Sequence, residues 1–221
     1  MSPNTTSFCN PEKFKIANWR INSRQLIATQ RIDQNEVIFT DAPIASALIE
    51  NPTFPTAPWG IVSQILETKS IQEIFKKLDL HVTKFQWDSE DADIVKKLSK
   101  QHKIPEYKIQ KLYFSVCTNN ANFLDECGNI AGYGIFPILS FVNHSCNSNA
   151  KIASGDVSKK ELILTSLRAI EPGESITWSY IDSRSGFTKM DMITRKILLQ
   201  INYNFTCICE RCSSELRLNV I

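Results

Sequence analysis

Two short stretches late in the chain decide the fold: NHSCN at Asn143–Asn147 and CICERC at Cys207–Cys212. The second stretch has the spacing C-x-C-x2-C, which places three thiolates on one tight loop. A structural zinc ion takes four ligands in a tetrahedron, so one position remains for a cysteine elsewhere in the chain. The predicted ligands are Cys146, Cys207, Cys209 and Cys212. Such a zinc ion would pin the tail of the chain to the Asn143–Asn147 loop.

Free core thiols and disulfide partners are the alternatives to a metal site. The chain has seven cysteines, an odd number, and its first twenty residues contain no apolar core of a signal peptide. These features favour a reducing compartment, where metal binding is expected rather than disulfide formation. We therefore expect an intracellular protein, nuclear or cytoplasmic, with a secreted effector that acts inside a host cell as the alternative. Cys9, Cys117 and Cys127 fit no ligand spacing and are expected to be ordinary thiols.

Other motifs accompany the two cysteine stretches. They are GIFP at Gly134–Pro137, EPGESITWSY at Glu171–Tyr180, SYID at Ser179–Asp182, a spaced Arg195, and YNF at Tyr203–Phe205. Together, over roughly residues 12–213, these motifs resemble a SET-domain protein-lysine methyltransferase with its post-SET zinc loop. Within that superfamily the chain is most similar to the SET and MYND branch.

The chain also departs from that branch. The stretch 42–116 contains no cysteine, so the MYND zinc finger of the branch is expected to be absent, as is its large helical C-terminal domain. A second departure lies at residues 22–28, where the family has a Gly-x-Gly turn and this chain has Ser23 and Gln25. Glycines there let the backbone approach the cofactor closely. The substitutions predict a shifted loop, weaker cofactor binding or, at the extreme, a pseudoenzyme.

Composition is typical of one compact domain. The chain has 221 residues, 43% of them hydrophobic, and a net charge of +2. Such a chain can bury a sizeable core, and a charge this small leaves no electrostatic footprint for direct binding to nucleic acid or to an anionic membrane. The apolar stretches are too short to span a bilayer. The oligomeric state cannot be inferred from the sequence.

We predict an α+β fold, mostly β with a helical insert. The resemblance implies small β-sheets around a pseudoknot-like Asn-His-Ser-Cys loop. The predicted SET domain covers residues 12–183 with the insert at about 55–118, and a C-terminal helix and post-SET loop cover 184–221.

Local patterns predict individual elements. Segments 24–30 and 35–40 are rich in β-branched and aromatic residues and are predicted to form a hairpin around a turn at 33–35. Three prolines predict a loop over Asn51–Pro58. Apolar residues at helical spacing predict two helices of the insert, and further strands are expected at 162–164 and 176–178. The apolar residues of the two helices are Ile71, Ile74, Phe75 and Leu78, then Ile109, Leu112, Tyr113 and Val116 after Pro105.

The last predicted helix covers Thr188–Asn202. Thr188 and Asp191 are predicted to form its capping box. Its buried stripe is predicted to contain Met190, Ile193, Ile197 and Ile201.

Tyr180 is the candidate catalytic residue. Methyl transfer from S-adenosylmethionine to an amine is an in-line displacement, so a protein chiefly has to align the two groups and exclude water. The resemblance implies that the Tyr180 hydroxyl lies beside the methyl group and the incoming nitrogen. The alternative is a tyrosine that only packs at the end of a strand.

The resemblance implies further site residues. Tyr203 would line the channel for the lysine side chain, where an aromatic face suits an ammonium group. The implied cofactor-binding residues are Arg24, Gln25, Asn119, Asn143, His144, Tyr180 and Phe205. Asn120 is the alternative to Asn119, and His144 could instead be a structural hydrogen-bonding residue. A His144–Cys146 nucleophile pair is disfavoured, because a zinc-bound thiolate is a poor nucleophile.

Two functions therefore remain open. The first is a protein-lysine methyltransferase that uses S-adenosylmethionine and zinc and acts on an accessible lysine of a histone tail or another protein. The second is a catalytically silent module that binds a peptide in the same groove. Only the enzyme must bind S-adenosylmethionine and label a protein substrate.

Overall fold

The computed structural model describes residues 12–20, 23–50, 56–78, 80, 89–181 and 186–218, and the predicted α+β class is confirmed over these residues. The expectation that the fold is mostly β is wrong, because the described helices cover more residues than the described strands. The strands are β1 (Phe14–Arg20), β2 (Ser23–Ala28), β3 (Val37–Asp41), β4 (Ala45–Leu48), β5 (Asn120–Leu124), β6 (Ile130–Ile135), β7 (Asn143–His144), β8 (Ala150–Ser154), β9 (Leu162–Ser166) and β10 (Thr177–Trp178). The helices are α1 (Ala57–Glu67), α2 (Lys69–Leu78), α3 (Ser89–His102), α4 (Glu106–Asn119), α5 (Met192–Tyr203) and α6 (Glu210–Leu218).

The chain folds as two compact units. The first contains the described residues up to Asp41, then Phe141–Gly155, and those from Leu162 onward, with β1 to β3, β7 to β10, α5 and α6. The second contains Ala42–Ser140 and Asp156–Glu161, with β4 to β6 and α1 to α4. The boundary predicted near residue 183 stays a prediction, since residues 182–185 lie outside the described part.

The first unit corrects the predicted hairpin. β2 pairs antiparallel with β1, whereas β3 pairs with β9 in the sheet order β3–β9–β8. The local composition of a strand shows that it is a strand, but its partner depends on contacts far along the chain. Here Ile32, between β2 and β3, bridges to Ile170, and Ile176 N–H donates to Leu26 O at 2.9 Å. These contacts lead the chain from β2 into a second sheet and lay β2 beside the segment that precedes β10.

The second unit carries the helical insert. Its sheet has the order β4–β6–β5, and Trp59 of α1 stacks on Tyr113 of α4 with 4.1 Å between ring centroids. Both helices predicted for this region are present. The predicted loop over Asn51–Pro58 falls partly on residues 51–55, outside the described part, and Pro58 itself lies in the first turn of α1, a position that proline tolerates. None of the helices described is long and apolar enough to cross a membrane.

The structure places α5 differently from the sequence prediction. The helix begins at Met192, and its N-cap is Asp191, whose carboxylate accepts from Thr194 N–H at 2.9 Å. Thr188 lies in a short 3₁₀ turn before it, so the predicted capping box is wrong.

The predicted buried stripe of α5 is also wrong. Ile193, Ile197 and Ile201 are 63%, 52% and 70% exposed. The buried face instead contains Met192, Arg195 and Leu199. Both sets have helical spacing, and hydrophobicity alone favours the isoleucines because the other set includes an arginine.

Candidate active site and metal centre

Four cysteine side chains meet in the first unit. The sulfur atoms of Cys146, Cys207, Cys209 and Cys212 all lie within 4.8 Å of one another. Cys146 Sγ is 3.8 Å from Cys207 Sγ and 3.5 Å from Cys212 Sγ. Four sulfurs at about 2.3 Å from a central zinc ion would stand about 3.8 Å apart along each edge of the tetrahedron. The cluster therefore has the ligand type and the spacing of a structural zinc site.

Two cysteines of this cluster have pKa values that are shifted in opposite directions. Hydrogen bonds from Cys146 and Cys207 hold the pKa of Cys209 well below its ordinary value. Hydrogen bonds with Cys207 and Cys209, together with burial, raise the pKa of Cys146. A thiolate is the form of cysteine that binds zinc.

A left-handed turn after α5 delivers the cysteine tail. Asn204 caps the helix with φ of 53°, and its N–H donates to Gln200 O. Asparagine tolerates this conformation better than most residues. Beyond the turn, Cys207 and Cys212 pack in one buried cluster with Leu199 of α5. The last turns of α5 and the predicted metal ligands thus form one packed body.

A short parallel pair of strands brings the other motifs together. In this pair β7 lies beside β10, with Asn143 opposite Thr177 and His144 opposite Trp178. Ser145 N–H extends the pairing by donating to Trp178 O at 3.1 Å. The NHSC and WSY motifs, more than thirty positions apart in sequence, therefore run side by side.

His144 connects Tyr180 with the cysteine cluster. Tyr180 N–H donates to His144 Nδ1 at 3.1 Å, and His144 Nε2 lies 3.3 Å from Cys146 Sγ. Burial lowers the pKa of His144 to about 4, so the ring is neutral at pH 7. A neutral ring that accepts at Nδ1 carries its proton on Nε2, which then points at the sulfur. Both ring nitrogens are thus used within the protein, as the structural alternative for His144 expects.

Aromatic rings surround Tyr180. The centroid of its ring lies 5.3 Å from Trp178, 5.3 Å from His144, 5.2 Å from Tyr203 and 6.1 Å from Phe205. Such a cluster excludes water and offers π faces to a cationic group. The structure thus brings together the predicted catalytic residue, the predicted channel residue Tyr203 and the predicted cofactor-binding residue Phe205.

The hydroxyl groups of the two tyrosines are both anchored on main-chain carbonyls. Tyr180 Oη donates to Val142 O at 3.2 Å, and Trp178 Nε1 donates to the same carbonyl, also at 3.2 Å. Tyr203 Oη donates to Tyr180 O at 2.7 Å. Burial, with Tyr203 as a neighbour, raises the pKa of Tyr180 above its ordinary value. Tyr180 therefore stays protonated at neutral pH and cannot act there as a base.

The predicted cofactor residues of the first unit meet at β2. Asn143 Nδ2 donates to Arg24 O at 3.1 Å, and the Arg24 guanidinium lies over the Phe141 ring at 4.6 Å. Gln25 lies opposite Ala17 in the β1–β2 ladder. Its backbone is therefore that of an ordinary strand, which any residue adopts, so the strain expected from replacing a glycine is not found at Gln25.

Asn119 belongs to the second unit. It is the last residue of α4, and its Nδ2 donates to Ser115 O one turn earlier at 2.7 Å. The alternative, Asn120, makes the same kind of bond from its Nδ2 to Val116 O at 2.9 Å. Both side chains thus cap the end of α4, and the choice between them as a cofactor ligand stays a prediction.

The sequence patterns missed two polar residues beside the site. Asn149 is buried, and its side chain bonds to Ser175 O and Thr177 N–H, each at 2.8 Å, which fastens the NHSC loop to the approach to β10. The resemblance includes Arg195 as a motif position but implies no role for it, yet its fully buried side chain reaches Cys212. The available signal for Arg195 was its spacing from Met192 and Leu199 on one helical face.

Comparisons with known proteins agree with this geometry. A family model described as the SET domain matches residues 23–181. The chain is 37% identical over 86 residues to a SET and MYND domain-containing protein of Dictyostelium discoideum, covering 39% of this chain and 23% of that protein. It is 35% identical over 107 residues to the protein-lysine N-trimethyltransferase SMYD5 of Gallus gallus, covering 48% of this chain and 24% of that protein. The chain thus spans about a quarter of the length of these curated relatives.

Solved structures share the fold. The SET domain of LSMT, in a crystal structure bound to lysine and AdoHcy, superposes with a TM-score of 0.55 and 13% identity, covering 91% of this chain and 54% of that one. A structure of Rubisco LSMT bound to AdoMet superposes with a TM-score of 0.51 at the same identity, covering 90% of this chain and 53% of that one.

Proposed function

The chain belongs to the SET-domain family, and on that premise we propose that it transfers a methyl group from S-adenosylmethionine to the ε-amine of a lysine in a protein. Curated relatives named as protein-lysine methyltransferases support the reaction class. Solved structures of the same fold hold AdoMet, or AdoHcy with lysine.

One observation carries the proposal. Tyr180 lies inside a cluster of aromatic rings with its hydroxyl fixed on Val142 O and its main chain fixed on His144 and Tyr203. The hydroxyl bond fixes the end of the side chain, and the two main-chain bonds fix the backbone that carries it. The anchors hold the phenol oxygen in one place, which is what alignment of two reacting groups requires.

Bound S-adenosylmethionine supplies a methyl group on a positively charged sulfur, already activated for displacement. The protein's own contribution is therefore alignment and exclusion of water. Tyr180 Oη donates its proton in a hydrogen bond to Val142 O, which leaves its lone pairs available to the reacting carbon and nitrogen. The rings of Tyr180 and Tyr203 form the wall along which a lysine stem would lie. Because Tyr180 stays protonated, the lysine amine has to lose its proton before it reacts.

The proposed cofactor-binding residues are Arg24, Gln25, Asn119, Asn143, His144, Tyr180 and Phe205. Their chemistry fits the ligand, since aromatic faces suit an adenine ring and a sulfonium, and amide groups suit an amino-acid end. With both ring nitrogens of His144 used within the protein, a contact from this residue would come from its main chain or ring face.

We further propose that Cys146, Cys207, Cys209 and Cys212 hold zinc. The distances between the sulfurs support a tetrahedral site. The ion would fix the tail that carries Tyr203 and Phe205, both of which pack against the cysteine cluster. Loss of zinc should therefore weaken cofactor binding as well as stability.

A reducing compartment, nuclear or cytoplasmic, suits such a thiolate site. A secreted effector that acts inside a host cell would meet the same conditions. The net charge of +2 supports a protein partner, such as a histone tail, rather than direct binding to nucleic acid or a membrane.

Two measurements on the zinc-loaded protein test the proposal. Calorimetric titration should detect binding of S-adenosylmethionine, and methyl-labelled cofactor should transfer its label to lysine in histones or in a cell lysate, with the residue identified by mass spectrometry. A protein that neither binds the cofactor nor transfers the label would favour the silent peptide-binding module instead. A protein that binds cofactor but labels no protein in either mixture would leave the family fold in place and remove the proposed substrate class.

A further inference from the structure

Among the arginines whose side chains the structure describes, Arg195 is the one that is fully removed from solvent. It lies on the buried face of α5 between Met192 and Leu199. A buried guanidinium is costly unless several partners compensate its charge and satisfy its donors. The partners that surround it therefore show why it is there.

Those partners belong to the cysteine cluster and to α6. Arg195 Nη2 lies 3.6 Å from Cys212 Sγ and 2.9 Å from Glu215 Oε2, and Nη1 donates to Met190 O at 2.6 Å. Nε has no partner among the described residues. The one guanidinium thus contacts the residue before α5, a predicted metal ligand and α6.

A second arginine, Arg211, binds the same glutamate. Arg211 Nε donates to Glu215 Oε1 at 2.9 Å, and its Nη1 reaches Cys146 O at 3.4 Å. Glu215 therefore stands between two guanidinium groups, one in contact with the sulfur of Cys212 and the other with the main chain of Cys146. Glu215 is partly exposed and shared, so it compensates the buried charge of Arg195 only in part.

We propose that Arg195 is a positioning residue of the metal centre, which orients Cys212 by an N–H···S hydrogen bond and offsets the negative charge of the loaded cluster. Four thiolates around a divalent ion carry a net charge of about −2, which a buried cation next to one sulfur stabilises. The inference rests on the proposed zinc site and does not depend on methyl transfer. It also assigns Arg195 a role that a neutral side chain of similar size could not fill.

The test uses Arg195→Met, which keeps the length and removes the charge and the donors. Zinc affinity, measured by competition with a chromophoric chelator, should fall by about tenfold to a hundredfold, the usual effect of losing a group that orients a metal ligand. Arg195→Lys keeps the charge but not the fork, so its zinc affinity should lie between those of wild type and Arg195→Met.

Cobalt substitution provides a signature that a purely structural role would not produce. An N–H···S hydrogen bond lowers the energy of the sulfur lone pair, so its loss should move the thiolate-to-cobalt charge-transfer band of Arg195→Met to longer wavelength. Arg168→Met is the matched control, because Arg168 also pairs with a glutamate, Glu174, and touches no cysteine. This control should keep the wild-type zinc affinity and the wild-type cobalt spectrum.

Several outcomes would overturn the inference. They are an unchanged zinc affinity of Arg195→Met, a cobalt spectrum equal to that of Arg168→Met, or a wild-type protein that binds no zinc. If Arg195→Met fails to fold by circular dichroism, Arg195→Lys decides, and its wild-type spectrum and affinity would count against the proposal. A wild-type protein that binds zinc but transfers no methyl group would contradict the proposed activity and leave the role of Arg195 intact.

Discussion

Substitution of Tyr180 by phenylalanine separates catalysis from folding. The change removes only the hydroxyl oxygen, which donates to Val142 O at 3.2 Å. That carbonyl keeps its second donor, Trp178 Nε1, so no buried acceptor is left without a partner. Tyr180 O still accepts from Tyr203, and Tyr180 N–H still donates to His144. The loss should therefore stay near the lower end of the roughly 0.5–1.5 kcal/mol that one hydrogen bond contributes.

Activity should respond far more strongly. If the phenol oxygen lies beside the reacting carbon and nitrogen, its removal should slow the chemical step about a hundredfold or more, the usual effect of losing one preorganised polar group at a reacting centre. A hundredfold corresponds to about 2.7 kcal/mol of transition-state free energy. The predicted loss in activity is thus larger than the predicted loss in stability.

Single-turnover transfer of labelled methyl measures the chemical step, urea unfolding measures stability, and calorimetry checks that the cofactor still binds. Tyr107→Phe is the matched control, since Tyr107 is 64% exposed and the same change there should alter none of the three quantities. Equal turnover by Tyr180→Phe and wild type would refute the catalytic role. A loss of stability above about 3 kcal/mol would show that the hydroxyl mainly supports the fold, because one hydrogen bond cannot account for it.

Three further predictions follow from the same geometry. Cys209→Ser should lower both the zinc content by metal analysis and the S-adenosylmethionine affinity by calorimetry, whereas unchanged affinity in a zinc-free protein would break the proposed coupling. Leu199→Ala should reduce the free energy of unfolding by about 2–5 kcal/mol in urea titration, because the side chain is fully buried. Ile197→Ala on the exposed face should cost about 1 kcal/mol, half of the transfer free energy of the three carbons removed, and equal losses would contradict the assignment of the faces. Replacing Ser23 and Gln25 by glycine should lower stability by about 1 kcal/mol without tightening cofactor binding in calorimetry, because both lie in the β1–β2 ladder; tighter binding would restore the interpretation as a strained loop.

The cysteine cluster could be predicted because its information is local. Three of the predicted ligands lie within six positions, and zinc chemistry allows few arrangements of such a loop. Cys146 was predicted as the fourth ligand because the loop leaves one of the four positions around zinc open. That inference needs no information about the position of β7. The structure then brings all four sulfurs together, as that reasoning requires.

Strand partners could not be predicted in the same way. β2 and β3 were recognised approximately as strands, but the turn between them suggested a hairpin that does not form. Each strand instead pairs with a segment chosen by the rest of the fold, β3 with β9 across more than 120 positions of sequence. Periodicity and turn residues carry no information about such distant pairing, and register is fixed only once both faces are packed.

The error in α5 has a chemical cause. Where a helix has two stripes of residues at helical spacing, hydrophobicity predicts that the stripe without a charge is buried. For α5 this rule predicts that the isoleucines are buried. The true inner face contains Arg195, whose side chain finds its partners there in Cys212 Sγ, Glu215 and Met190 O. Local rules tend to fail where a protein does chemistry, since the interactions that override them belong to the site. An arginine between Met192 and Leu199, with the C-x-C-x2-C tail close behind, is therefore a signal that the buried face of such a helix is the one with the charge.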